Sequence, residues 1–357
     1  MEDIDKKVGE VRILSIDGGG VRVVTAAYFL KEIEKKTGKS IAELFDYIVG
    51  VSAGGVYTIG SVIPGDDDKA KYSSKYAFDN FEVFAHQMRP QDYLPWVLNS
   101  FGIFHSKYNR EGIDKFFDEK FGDVKLKDTL IPISVLSFSL KNDSIKVWST
   151  FKAKISETEN IYLKDVAGAT SAAPIYLDPK KIPETNDYHI DGGIYANNPT
   201  IMGIAELFSH CKNLTTENVI VVSLGTGKVG STSFDHEAGT GIFQWLSREN
   251  NIIKMMMNAN TSAVDVQAQQ IFPRYHRIQM DIPRHLNQID NPLIVQELKE
   301  FAENYFLQNP DLLDGIISDI YVGGGINRLD SLCDAKQELN FSSDNLLIAL
   351  SNIWYLI

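Results

Sequence analysis

Twice near its start the chain runs through a short apolar stretch, breaks into glycine and resumes as a helical pattern. Val11–Ile16 is β-branched, short and followed by glycines, which predicts a buried strand. Gly18, Gly19 and Gly20 come next, and then Ala26, Phe29, Leu30 and Ile33 recur at helical spacing over 25–36. A second unit follows at once: a strand over 45–51, Ser52, and a helix from 53 to about 62. Consecutive parallel strands need a crossover, so this repetition predicts a mostly parallel sheet covered by helices on both faces, an α/β fold.

Later segments fit the same plan. Strands are expected over 131–140 and 145–150 around a Lys141-Asn142-Asp143 turn, over 188–190, and over 219–224. Helical patterns cover 163–173, about 240–268 and 293–307. The tail beyond 309 is the least readable part. With 357 residues, 44% of them hydrophobic, the chain has material for one large core.

Gly50-Val51-Ser52-Ala53-Gly54 has the form G-x-S-x-G between an expected strand and an expected helix. In that setting the serine is lifted out of the sheet on a sharp turn and meets the N–H groups of a helix N-terminus. Glycine at 50 and 54 keeps side chains out of the turn. Asp17-Gly18-Gly19-Gly20-Val21-Arg22 closes the first strand with three bare backbone N–H groups, the kind of donor an oxyanion needs. As a dinucleotide fingerprint it lacks the third glycine, Val23 standing there, and no G-K-[ST] marks a P-loop. Arg22 can pin the glycine loop or attract a lipid phosphate; pinning is the expectation.

A nucleophilic serine needs a base. Asp191-Gly192-Gly193 places a carboxylate at a strand end with room for close approach. His210, His236, His276 and His285 follow Asp191, so chain order alone leaves a Ser-Asp-His triad open. Only one strand-helix unit precedes Ser52, however, and none of these histidines sits in a glycine-flanked turn. His189 lies two residues before Asp191, on the same strand face, where it would orient the carboxylate.

Taken together the blocks resemble the patatin-like phospholipases. Ile13 through Arg22 is similar to that family's glycine-rich block, and Phe45 through Gly55 to its nucleophile block. Ala169-Thr170-Ser171-Ala172-Ala173-Pro174 and Asp191-Gly192-Gly193-Ile194-Tyr195-Ala196-Asn197-Asn198-Pro199 resemble two more, and Ser223 through Gly227 a further strand end. The resemblance implies a three-layer α/β/α sandwich over 1–309, with the motifs in 11–227 and residues 310–357 packed on the same domain. It also implies calcium-independent acyl hydrolysis by a Ser52–Asp191 dyad without histidine. Gly18, Gly19 and Gly20 fall on the oxyanion loop, and Arg22, Gly50, Gly54 and Gly192 on supporting positions. Val23 stands where many relatives carry glycine.

No cofactor and no metal is expected; Asp66-Asp67-Asp68 lacks the ligand spacing of a calcium loop and reads as a solvated turn. A net charge of −12 argues against a nucleic acid partner and against a purely electrostatic hold on anionic membranes. The expected partner is a membrane phospholipid or other acyl lipid met at the membrane periphery. An acyl channel is expected from the aromatic stretch 81–104, including Phe81, Phe84, Tyr93, Trp96, Phe101 and Phe104, and from Met255, Met256 and Met257, for which plain core packing is the alternative. Two cysteines and a charged N-terminus without a signal region fit the cytoplasm. The rival functions are a soluble esterase or lysophospholipase, a bacterial effector switched on by a partner or small messenger, and an idle lipid- or nucleotide-binding protein.

Overall fold

The computed structural model describes residues 10–87, 106–230, 252–321 and 329. Within them one eight-stranded sheet organises the chain: β1 (Val11–Ile16), β2 (Tyr47–Val51), β3 (Ile133–Ser139), β4 (Ser144–Ser149), β5 (Lys180–Ile182), β6 (Asp187–Asp191), β7 (Val219–Leu224) and β8 (Tyr275–Ile278). β8, β7, β1, β2 and β3 run parallel as neighbours. β4, β5 and β6 add antiparallel pairings at the other end.

Helices cover both faces, and strand alternation assigns the faces. Leu14 and Ile16 of β1 point into a core built with helices α1 (Val24–Thr37) and α2 (Ala53–Val62). Val11 and Ile13 point the other way, to a smaller core with α6 (Thr200–His210) and α7 (Ile252–Ile271). Between these lie α3 (Phe81–Gln87), α4 (Glu111–Phe121) and α5 (Leu163–Thr170), and after them α8 (Val295–Gln308) and α9 (Pro310–Tyr321). The α/β class and the mostly parallel sheet agree with the sequence reading.

One detail of the sheet brings two distant strand ends together. Residues 134–139 of β3 pair with β4 along one edge. A strand has only two edges, so β2, which pairs with 133–136, and β6, which pairs with 137–139, share the other one. They lie end to end and point at each other, since β2 is parallel and β6 antiparallel to β3. Val51 stands opposite Leu136 and Asp191 opposite the next residue, Ser137. The C-terminal ends of two strands far apart in sequence therefore meet.

Several elements depart from expectation. β5 and β8 are short and mix charged with apolar residues, so neither shows a strand period. α4 carries Ile113, Phe117 and Phe121 on its buried face, a four-residue repeat that was present in the sequence and not read. α9 buries Leu313, Ile316 and Ile320 in the larger core, so the part of the tail beyond 309 that is described packs with the rest. Of the aromatics expected to form an acyl channel, Phe81 and Phe84 are buried in α3, while Tyr93, Trp96, Phe101 and Phe104 lie outside the described residues. Met255 and Met256 are exposed on α7, Met256 at 61%, and Met257 is half-buried, so Met255 and Met256 are not core. Cys211 is buried, and Cys333 lies outside the described residues. No helix among the described residues is long and apolar enough to cross a membrane.

Candidate active site

Ser52 sits where β2 stops and α2 starts, with φ 56° and ψ −133°. That conformation is rare for a residue with a side chain and persists only where its surroundings hold it. They do. The Ser52 N–H donates to Thr170 Oγ1 at 2.8 Å, and the Thr170 hydroxyl donates to the Leu136 carbonyl at 2.7 Å. A Cβ at Gly50 would lie 2.5 Å from the Gly54 carbonyl oxygen, and one at Gly54 would lie 2.4 Å from that of Ile16. Both glycines are therefore required by close backbone approach, as the turn predicts.

Asp191 arrives from the opposite direction on β6. Its N–H donates to the Ala172 carbonyl at 2.9 Å, so the 169–174 segment grips both strand ends at once. A Cβ at Gly192 would meet the Leu136 carbonyl carbon at 2.8 Å. The Asp191 carboxylate is 5% exposed and receives the Gly193 N–H at 2.7 Å, with the Ser52 side chain near enough to favour its charged form. No cation contacts it among the described residues. Burial pushes its pKa up to about 6, against the pull of Ser52 and the Gly193 N–H.

The glycine loop faces this pair: a Cβ on Gly18 would lie 3.1 Å from the Ser52 Cβ. The loop is clamped from several sides. The Thr226 hydroxyl donates to the Gly18 carbonyl at 2.9 Å, and a Cβ on Gly19 would strike Thr226 Oγ1 at 2.1 Å. Gly20 has φ 57°, and a Cβ there would strike the Ile289 carbonyl oxygen at 1.9 Å. Val21 donates its N–H to that same carbonyl at 2.8 Å. Arg22 pins rather than attracts: its guanidinium donates to the Gly227 carbonyl at 3.0 Å and Asn287 Oδ1 at 2.8 Å, with a longer contact to the Gly19 carbonyl. Burial lowers its pKa to about 10.

The three glycines are not equivalent. The Gly18 N–H donates to the Asn197 carbonyl at 3.0 Å, whereas no acceptor among the described residues takes the N–H of Gly19 or Gly20. The expectation of three free donors thus becomes two. In the sequence Asn197 stands out only as part of the 191–199 block. Its own N–H comes from α6's side of the sheet to Asn260 Oδ1 on α7 at 3.1 Å, and its Nδ2 donates to Thr261 at 3.2 Å. Thr170, Thr226, Asn197 and Asn260 were all missed as supports. Thr170 and Asn197 lie inside recognisable blocks; Asn260, on a helix far along the chain, carried no signal.

The histidines go elsewhere. His189 is buried, but its Nδ1 lies 3.1 Å from Ser137 Oγ, which also receives the Trp148 indole N–H, and no hydrogen bond joins it to Asp191. Burial lowers its pKa to about 4, so it is neutral at neutral pH. His210, His276 and His285 each pair with a carboxylate, Glu206, Asp319 and Glu297 respectively. His236 lies outside the described residues. The three aspartates at 66–68 sit exposed in a turn, and no cluster fit to hold a metal occurs among the described residues.

The sequence profile of the family described as patatin-like phospholipase matches residues 14–204, more than half of the chain. The chain belongs to that family. Among its relatives, patatin-like protein 2 of Arabidopsis thaliana is 29% identical over 299 residues, covering 74% of this chain and 73% of its own. Patatin-like protein 4 of the same plant is 32% identical over 243 residues, 61% of this chain and 59% of its own. The crystal structure of VipD from Legionella pneumophila is similar over 86% of this chain and 67% of that one, at 14% identity and a TM-score of 0.40, too distant to bear on the site. As a patatin-like phospholipase the protein is a hydrolase, and its family acts on the acyl groups of lipids.

Proposed function

We propose that the protein hydrolyses fatty acyl esters of phospholipids at a membrane surface without calcium, using Ser52 as nucleophile and Asp191 as base. The observation that carries this reading is the meeting of the β2 and β6 ends on β3, which sets Ser52 beside a buried carboxylate that no cation contacts among the described residues. An ion-paired carboxylate is a poor proton acceptor; a desolvated one is a better match for an alcohol.

The steps balance on these two residues. Asp191 takes the Ser52 hydroxyl proton as Oγ bonds to the ester carbonyl carbon. The carbonyl oxygen becomes an oxyanion, received by the Gly19 and Gly20 N–H groups beside the N-terminus of α2. Collapse breaks the ester C–O bond, and the leaving alkoxide takes the proton from Asp191 to depart as the lysolipid. Asp191 then takes a proton from water, whose hydroxide displaces the acyl group, and Ser52 recovers that proton as the fatty acid leaves.

The test is release of free fatty acid from phosphatidylcholine and phosphatidylglycerol vesicles in excess EDTA. The native chain should release it, and Ser52→Ala, folded by circular dichroism, should fall by several orders of magnitude. Release by pure Ser52→Ala at more than a few per cent of the native rate refutes the assignment.

A further inference from the structure

An apolar cavity runs along α2, the helix that begins beside Ser52. Its volume is about 820 Å³ with its open mouth included. Ala53, Val56, Tyr57, Gly60 and Ser61 line one wall. At helical spacing these residues occupy a single face. Phe81 and Phe84 of α3 and Phe116 and Phe121 of α4 face them. Two lining residues tie the cavity to the reacting groups: Ala53 follows Ser52 directly, and Val23 ends the turn that begins at Gly20. The far end lies beside the C-terminus of α2, where the Lys71 N–H donates to the Ile63 carbonyl. There Tyr72, Tyr76 and Lys120 form a polar rim, the Lys120 ammonium donating to the Tyr76 hydroxyl at 3.0 Å.

The glycines of this region sort themselves by what a side chain would meet. At 50 and 54 a Cβ would collide with backbone, and at 55 it would press on Thr170 and Val135 at 3.0 Å. At Gly60 it would meet nothing within 4 Å. Glycine inside a helix is unfavourable, and neither packing nor backbone conformation asks for it at 60. What its missing side chain leaves open is the lumen.

We propose that this cavity seats the fatty acyl chain, its ester end at Ser52 and its methylenes along α2, and that Gly60 keeps it long enough for a medium-length chain. This rests on Ser52 being the residue that is acylated. From Ala53 to Ser61 the helix advances about 12 Å, room for roughly ten extended carbons before the polar rim. The lining is mostly apolar and begins at Ala53, the residue after the reacting serine, which suits an alkyl chain and offers a head group nothing charged until Lys120.

The test compares p-nitrophenyl butyrate with p-nitrophenyl decanoate. Native kcat/KM should rise from butyrate to decanoate. In Gly60→Leu, which places a helix-favouring side chain in the lumen, the decanoate-to-butyrate ratio should fall at least tenfold, since single methylenes in such pockets are worth about that much. Gly60→Ala should move the ratio the same way by a smaller factor. Calorimetric binding of decanoate to Ser52→Ala, with and without Gly60→Leu, reads the cavity without chemistry and should weaken at least tenfold with leucine. If the native chain hydrolyses neither ester, the dyad reading fails while the binding arm still decides the cavity. Unchanged binding of decanoate overturns the proposal.

Discussion

The tripeptide Asp-Gly-Gly occurs twice at the end of a strand, and the two copies do different things. Asp17-Gly18-Gly19 follows β1 and Asp191-Gly192-Gly193 ends β6; both carboxylates are buried. Asp17 is gripped by the Arg277 guanidinium through two contacts, at 2.6 and 3.0 Å, while the same arginine reaches Ser223 at 2.8 Å. Asp191 has the Gly193 N–H and Ser52 beside it, and no cation contacts it among the described residues. The first carboxylate is committed to an ion pair that ties β1 to β8. Burial raises the proton affinity of both, but only the second stands without an ion pair among the described residues. The motif supplies a buried acid at a strand end; a residue on another strand decides whether that acid holds the sheet or takes a proton.

Exchanging each acid for its amide separates the two roles. In Asp191→Asn the shape stays and the basic lone pair goes, so kcat/KM for a soluble ester should fall by about 10⁴ or more with little loss of stability at neutral pH. In Asp17→Asn the larger effect is on folding. A guanidinium buried without its partner costs about 3 to 5 kcal/mol, read as an earlier urea midpoint. A variant pair with these effects reversed would break the comparison.

A finer prediction uses pH. The folded pKa of Asp191 stands at about 6, above the ordinary carboxylate value. Between those two values the folded chain binds the proton that the unfolded chain has released. Stability from this group is therefore complete below pH about 4 and is lost as pH rises through about 6, by about 2 to 3 kcal/mol. Asp191→Asn should not show that loss, so denaturation at pH 5 and 8 should find the variant gaining on the native chain at the higher pH. No such gain would mean that the carboxylate is better solvated than its burial indicates. The smallest effect belongs to His189→Gln. The ring is bonded to Ser137 and not to Asp191, so kcat/KM should stay within about threefold, measured beside thermal stability to separate packing loss from chemistry.

These contrasts also show what the sequence made legible. The Ser52 turn is local: strand, serine, helix and the glycines at 50 and 54 are adjacent in the chain, and the pattern carries its own geometry. The glycine loop is likewise local, although nothing in it reveals that the Gly18 N–H goes to Asn197. Asp191 was legible as a carboxylate in a tight turn. What brings it to Ser52 is the shared edge of β3, a fact of register between residues some 140 positions apart. Arg277 was out of reach because β8 shows no strand period, and with it the reason that Asp17 is not a base. Asn260 was out of reach for a similar cause, being one polar residue on a largely exposed helix. Local turn chemistry survives in sequence; partners supplied across the sheet do not.

The central claim is that a carboxylate, and no histidine, activates Ser52. The most direct measurement is the rate at which a fluorophosphonate labels Ser52 in the native chain, in Asp191→Asn and in the single His→Gln variants at 86, 105, 189, 210, 236, 276 and 285. Labelling should collapse in Asp191→Asn alone and persist near the native rate in every folded histidine variant. A folded histidine variant that labels as slowly as Asp191→Asn would contradict the dyad and put a Ser-Asp-His triad in its place.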